Sequence, residues 1–186
     1  MKRLVAASAV AVLALAGVVL AAEPVKSGLP VGESVGAFNV KDCTGPNEGK
    51  TLCYRCQYGN RPVVAVFTRR MTDDVSDLVK SLDEAVGQNK DKELKAFVVY
   101  LTDDPDAAEP QLKKMAAGSK ISKNVPLTVF QTSEGPDNYE IAKGADVTVM
   151  VWNKSKVQAT EAFGKGQKLT AADVKKVMAD TAKALK

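Results

Sequence analysis

The chain has 186 residues, a formal net charge of +4, 45% hydrophobic residues, three cysteines and no histidine. Basic and acidic residues are interspersed, so the clustered basic face that a nucleic-acid partner requires is absent. Without histidine there is no imidazole base or metal ligand, and redox chemistry at sulfur must use Cys43, Cys53 or Cys56.

Residues 1–22 read as a signal peptide. Lys2 and Arg3 precede an uncharged apolar run from Leu4 to Leu20, and the small residues Ala21 and Ala22 suit cleavage. An uncleaved anchor is the rival reading, because the run is nearly long enough to span a bilayer. Cleavage leaves residues 23–186 as one domain, with a net charge of about +2 and no further membrane-spanning segment. Export to a periplasmic or extracellular space places the cysteines where disulfides persist.

Pro24 to Val35 reads as an early loop, and Ala37–Val40 as a short strand. Gly45, Pro46 and Gly49 mark a hairpin turn, with Thr51–Cys56 as its return arm. Pro62–Phe67 is a continuous apolar run, as expected of a central strand covered on both faces. Thr72 or Asp73 can cap the next helix. Its apolar residues Val75, Leu78, Val79, Leu82 and Val86 repeat at helical spacing, and Gly87 can end it. Leu94–Leu101 forms a second buried strand. Asp103–Asp106 reads as a turn, Glu109–Ala117 as a short helix and Val125–Phe130 as a third strand. Asp146–Trp152 and Lys156–Phe163 form a hairpin around Asn153-Lys154-Ser155. A last helix starts near Thr170, with Asp173 in a capping-box position. Strand–helix–strand units with a closing hairpin predict a mixed α/β sheet of four or five main strands, flanked by helices and preceded by an amino-terminal β-hairpin.

Cys53 and Cys56 bracket Tyr54-Arg55, and Cys43 lies ten residues upstream. Three chemistries fit this spacing. The first is thiol exchange by Cys53 and Cys56, with Arg55 near enough to favour a thiolate. The second is a static bridge, either Cys53–Cys56 or Cys43–Cys53 across the hairpin. The third is a soft metal ion on three thiolates, where zinc would also need Asp42, Glu48 or water. On a fully extended arm Cys53 and Cys56 face opposite sides, so a bridge between them needs a turn or bulge at Tyr54-Arg55. Asp103, Asp104 and Asp106 lack the alternation of a calcium loop. No cofactor or resident metal is expected.

With this element order, and with Gly36-Ala37-Phe38 and Gly49-Lys50 in the opening hairpin, the chain resembles the thioredoxin-like superfamily. The resembled branch carries an amino-terminal hairpin, as in peroxiredoxins and TlpA-like proteins. The resemblance implies that Val125-Pro126 is a cis-proline site, facing a groove lined by Thr68, Arg69 and Arg70. It also implies a redox cysteine where the first central strand meets its helix. Here that stretch, Thr68–Asp74, contains no cysteine. The chain is therefore expected to lack the usual active-site cysteines and to serve a non-catalytic redox-associated or binding role. Its alternatives are a thiol–disulfide oxidoreductase using Cys53 and Cys56, with a protein or peptide thiol as partner, and a structural or peptide-binding module stapled by a disulfide.

Overall fold

The computed structural model describes residues 25–122 and 124–186. The expected signal peptide lies outside the described residues. Among those residues no helix is long and apolar enough to cross a membrane. The elements are β1 (Val40–Asp42), β2 (Thr51–Leu52), α1 (Tyr54–Tyr58), β3 (Val63–Thr68), α2 (Asp73–Gln88), β4 (Lys95–Leu101), α3 (Pro105–Ser119), β5 (Leu127–Phe130), β6 (Ala145–Asn153), β7 (Lys156–Gly164) and α4 (Ala171–Ala184). They build one mixed sheet in the order β2-β1-β5-β4-β3-β6-β7. The sheet has seven strands rather than four or five because β1 pairs antiparallel with β5 and brings the hairpin into the ladder.

The central strand β3 is buried along its whole length, as its unbroken apolar run predicts. It runs parallel to β4, and β4 runs parallel to β5. Successive right-handed crossovers through α2 and α3 put both helices on one face. Val75, Leu78, Val79 and Leu82 of α2, Leu112 of α3 and Val177 of α4 share that core with Val64, Val66, Val98 and Leu127. The opposite face is covered by the segment before β1, by α1 and by a short turn of 3-10 helix at Asp137–Tyr139. Its core gathers Tyr54, Tyr58, Phe67, Phe97, Tyr139 and Trp152.

Most boundaries follow local chemistry. Thr170 and Asp173 close a capping box at the start of α4, with both reciprocal bonds present. The β6–β7 hairpin turns on Lys154 and Ser155 at φ +50° and +61°, the paired left-handed geometry of a two-residue turn. The third helix starts earlier than the sequence suggests. Asp104 caps it by accepting from the Ala107 N–H at 3.1 Å, and Pro105 occupies its first turn, where a missing N–H is tolerated.

Asp42 organises the hairpin. It is 0% exposed. Its carboxylate accepts the N–H groups of Thr44 (3.2 Å), Gly45 (2.7 Å) and Asn47 (2.8 Å), and the Tyr54 hydroxyl at 2.6 Å. A buried carboxylate requires such donors, since charge without compensation is far costlier to bury. Side chains alternate along β1. Val40 and Asp42 face the aromatic core with Tyr54, while Lys41 faces α3, where it pairs with Glu109 at 2.6 Å. Gly45 is required by close approach, because a Cβ there would lie 2.6 Å from Pro126 Cβ and 2.7 Å from Asp42 Oδ2.

Two predictions follow from this packing. Asp42→Ala strands four donors and should destabilise by at least about 3 kcal/mol, whereas Tyr54→Phe should cost about 1–2 kcal/mol. Urea midpoints at unchanged slope measure both, and a smaller loss for Asp42→Ala than for Tyr54→Phe refutes the hub. On the alkaline side, burial pushes the Cys43 thiol from 9.0 up to about 12 and raises the phenols of Tyr54, Tyr58 and Tyr139 above their usual 10.0. The folded protein keeps these protons at a pH where the unfolded chain loses them. Their stabilisation is complete below about pH 9 and is lost as pH rises beyond it. Stability that stays flat from pH 9 to 11 in urea titrations would contradict the burial of these groups.

Candidate functional site

The cysteine pair lies where the hairpin's return arm stops being a strand. Only Thr51 and Leu52 pair with β1. Cys53 then adopts an extended N-cap geometry, φ −102° and ψ 99°, and the chain turns into α1. Tyr54 and Tyr58, four residues apart, bury one side of this turn. Their rings lie 5.2 Å apart, and the Tyr54 ring lies 5.7 Å from that of Phe97. The three-residue spacing brings Cys53 and Cys56 over the same turn, where they form a disulfide with Cα atoms 5.2 Å apart.

This geometry corrects two expectations. The arm is not extended through Cys56, because the tyrosine contacts favour helix. Nor does the chain lack active-site-type cysteines, since Cys53 and Cys56 form a CxxC disulfide at a helix start. That start belongs to α1 rather than to α2.

The surroundings of the two sulfurs differ. Cys56 is exposed and Cys53 is partly buried. The Cys56 N–H donates to Cys53 Sγ at 3.0 Å. Arg55 is committed elsewhere, its Nε donating to the Val35 carbonyl at 3.1 Å and fastening α1 to the segment before β1. Cys43 is free and fully buried. It belongs to the helix-covered core with Val125 and Leu127, whereas α1 packs on the other face, which explains why no Cys43–Cys53 bridge forms. Burial also pushes its thiol up to about 12, which leaves it unreactive. Among the described residues no group of three or more histidine, cysteine or acidic side chains is arranged to hold a metal.

Thr68, Arg69 and Arg70 stand at the carboxyl end of β3, and of their side-chain polar atoms only the buried Arg70 Nε lacks a hydrogen bond. The Thr68 hydroxyl donates to the Arg70 carbonyl at 2.6 Å. The Arg69 guanidinium donates to the carbonyls of Ser133 (2.7 Å), Ala142 (3.0 Å) and Ala145. Arg70 pairs with Asp74 at 2.9 Å and lies 3.7 Å from Asp146. Burial opposes ionisation of Asp74, but bonds from Thr72, the Leu169 N–H and Arg70 outweigh it and hold its carboxyl below the usual range. The α2 entrance is thus a clamp of charges rather than an anion pocket.

Val125 and Pro126 are not part of one groove with these residues. The bond before Pro126 is trans, because the described chain contains no cis peptide. Pro126 stands at the amino end of β5, which runs parallel to β4 and β3, whereas Thr68–Arg70 stand at the carboxyl end of β3. Strand direction therefore separates them, and Pro126 packs instead against the Asp42–Gly45 loop. Tyr54 is the site residue that sequence reasoning missed, and Asp42 appeared there only as a possible metal ligand. The available signal was an aspartate opening a Gly-Pro-Asn turn, where its side chain can collect the following N–H groups.

No protein-family model matches the chain, and no curated protein sequence matches it. Solved structures do match. A candidate thiol:disulfide interchange protein DsbE from Chlorobium tepidum is 14% identical with a TM-score of 0.65, covering 85% of this chain and 99% of that one. A candidate protein disulfide isomerase from Bacteroides thetaiotaomicron is 10% identical with a TM-score of 0.62, covering 84% and 91%. Peroxidoxin BcpB from Mycobacterium tuberculosis is 17% identical with a TM-score of 0.55, covering 82% and 96%. At these identities the likeness establishes a shared architecture, and the chain has the thioredoxin-like fold with a CxxC disulfide on its amino-terminal arm.

Proposed function

We propose that the protein is a thiol–disulfide oxidoreductase in which Cys53 and Cys56 cycle between disulfide and dithiol. One observation carries the reading, namely a CxxC disulfide at a helix start with one of its two residues exposed to solvent. The fold it shares with thiol-exchange proteins supports it. So does the weakness of the staple reading. Closing a loop of this length restricts the unfolded chain by only about 2 kcal/mol, less than the roughly 3 kcal/mol that a Cys43–Cys53 bridge would supply. In the exchange, a partner dithiol surrenders two electrons and two protons and leaves as a disulfide, while the protein's disulfide becomes two thiols. The reverse direction balances equally. The leader at residues 1–22 supports placing this chemistry outside the cytoplasm, with a protein or peptide thiol as partner.

The pair is expected to equilibrate with glutathione at a potential between about −270 and −120 mV, and a value below about −300 mV makes it a staple. Cys53→Ser and Cys56→Ser should each abolish catalysed reduction of a disulfide such as insulin, while lowering stability by no more than about 2 kcal/mol. Retained turnover in the double variant would refute the assignment.

Thiol counting checks the connectivity. The native, unreduced protein should give no reactive thiol, one after denaturation (Cys43), and all three after reduction in denaturant. A reactive thiol in the native protein would contradict the burial of Cys43 or the Cys53–Cys56 bond.

A further inference from the structure

The two halves of the disulfide differ in access and in the hydrogen bonding of their sulfurs. Tyr54 and Tyr58 turn one side of α1 into the aromatic core, and Cys56, two positions from each, falls on the outward side. It is exposed, and Gln57 beside it is exposed as well. Cys53 sits at the junction of β2 and α1 and is partly buried. Its Sγ also accepts the Cys56 N–H at 3.0 Å, a bond that strengthens when the acceptor becomes an anion. In thiol exchange the incoming thiolate needs access to the sulfur it attacks, and the sulfur that departs leaves faster the better its thiolate is stabilised. Both requirements select the same polarity here.

We infer that Cys56 is the sulfur that forms the mixed disulfide with the partner, and that Cys53 is the leaving and resolving sulfur. The inference rests on the exchange reading above and specifies its order. A partner thiol loses its proton to solvent, and its thiolate attacks Cys56 Sγ. The Cys53–Cys56 bond breaks, a partner–Cys56 bond forms, and Cys53 departs as a thiolate beside the Cys56 N–H. A second partner thiolate then attacks the partner sulfur bound to Cys56. This expels Cys56 as a thiolate and leaves the partner with its own disulfide. The two protein thiolates take up two protons, so the pair is reduced and the partner oxidised by two electrons. In the opposite direction Cys56 attacks a partner disulfide and Cys53 resolves the adduct.

The sequence supplies a convenient assay, because Arg55 puts a tryptic cleavage site between the two cysteines. The oxidised wild-type chain is mixed with reduced glutathione, quenched in acid within seconds and alkylated at its free thiols. It is then digested with trypsin and mapped by mass. The expected result is glutathione on the Cys56 peptide in about fivefold or greater excess over the Cys53 peptide, with the alkyl group on Cys53. Equal labelling, or an excess on Cys53, overturns the order but leaves exchange by the pair standing. An intact disulfide with no adduct on either peptide, at glutathione concentrations that reduce ordinary exchange proteins, overturns both.

Discussion

The hairpin that carries the disulfide hangs on the buried carboxylate of Asp42. A three-residue strand paired to a two-residue strand cannot hold itself together in water. Asp42 supplies what the ladder lacks, tying three N–H groups of the following loop and the Tyr54 hydroxyl to one point. A second set of bonds joins that loop to β5, from the Leu127 N–H to the Thr44 hydroxyl at 3.0 Å and from the Cys43 N–H to the Leu127 carbonyl at 3.0 Å. Through Tyr54 this hub also sets the position of α1. The placement of Cys53 and Cys56 is thus inherited from a charge buried a dozen residues earlier.

The same architecture divides the sheet into two ends with different tasks. At the carboxyl end of β3, Arg69 and Arg70 collect carbonyls and carboxylates and lock the chain before β6 against the start of α2. The sulfur pair lies instead on the arm leading to the amino end of β3, with α1 between β2 and β3. A shared fold therefore does not by itself say where on the sheet the reactive groups sit. Only local chemistry does, through which side chains are already committed to one another and which remain open to solvent.

Elements with long periodic patterns were legible in the sequence. The apolar run of β3, the helical spacing of α2, the β6–β7 hairpin and the Thr170–Asp173 cap all appear close to where their residues point. Two of the failures originate in tertiary arrangement and one in local ambiguity. Five residues are too few to show a period, so α1 is decided by the contacts of Tyr54 and Tyr58 with Phe97, which no local pattern encodes. Pro126 was misplaced because a strand's sequence does not state its direction, and direction decides which end of the sheet a residue occupies. The start of α3 was missed because an acidic run with proline reads as a turn, whereas Asp104 and Pro105 are equally good opening residues for a helix. The existence of the sulfur pair was visible at once. Its state depended on geometry.

The seating of Cys43 bears on how the chain matures. Three sulfurs within a short stretch can pair in three ways, and two of those isomers use Cys43. Once β1 has paired with β5, Cys43 is enclosed with Val125 and Leu127 on the helix side of the sheet, away from α1. Sheet closure thereby leaves Cys53 and Cys56 as the two sulfurs able to meet. A chain that oxidises after its ladder has formed retains one available pairing, while one that oxidises earlier has all three open to it.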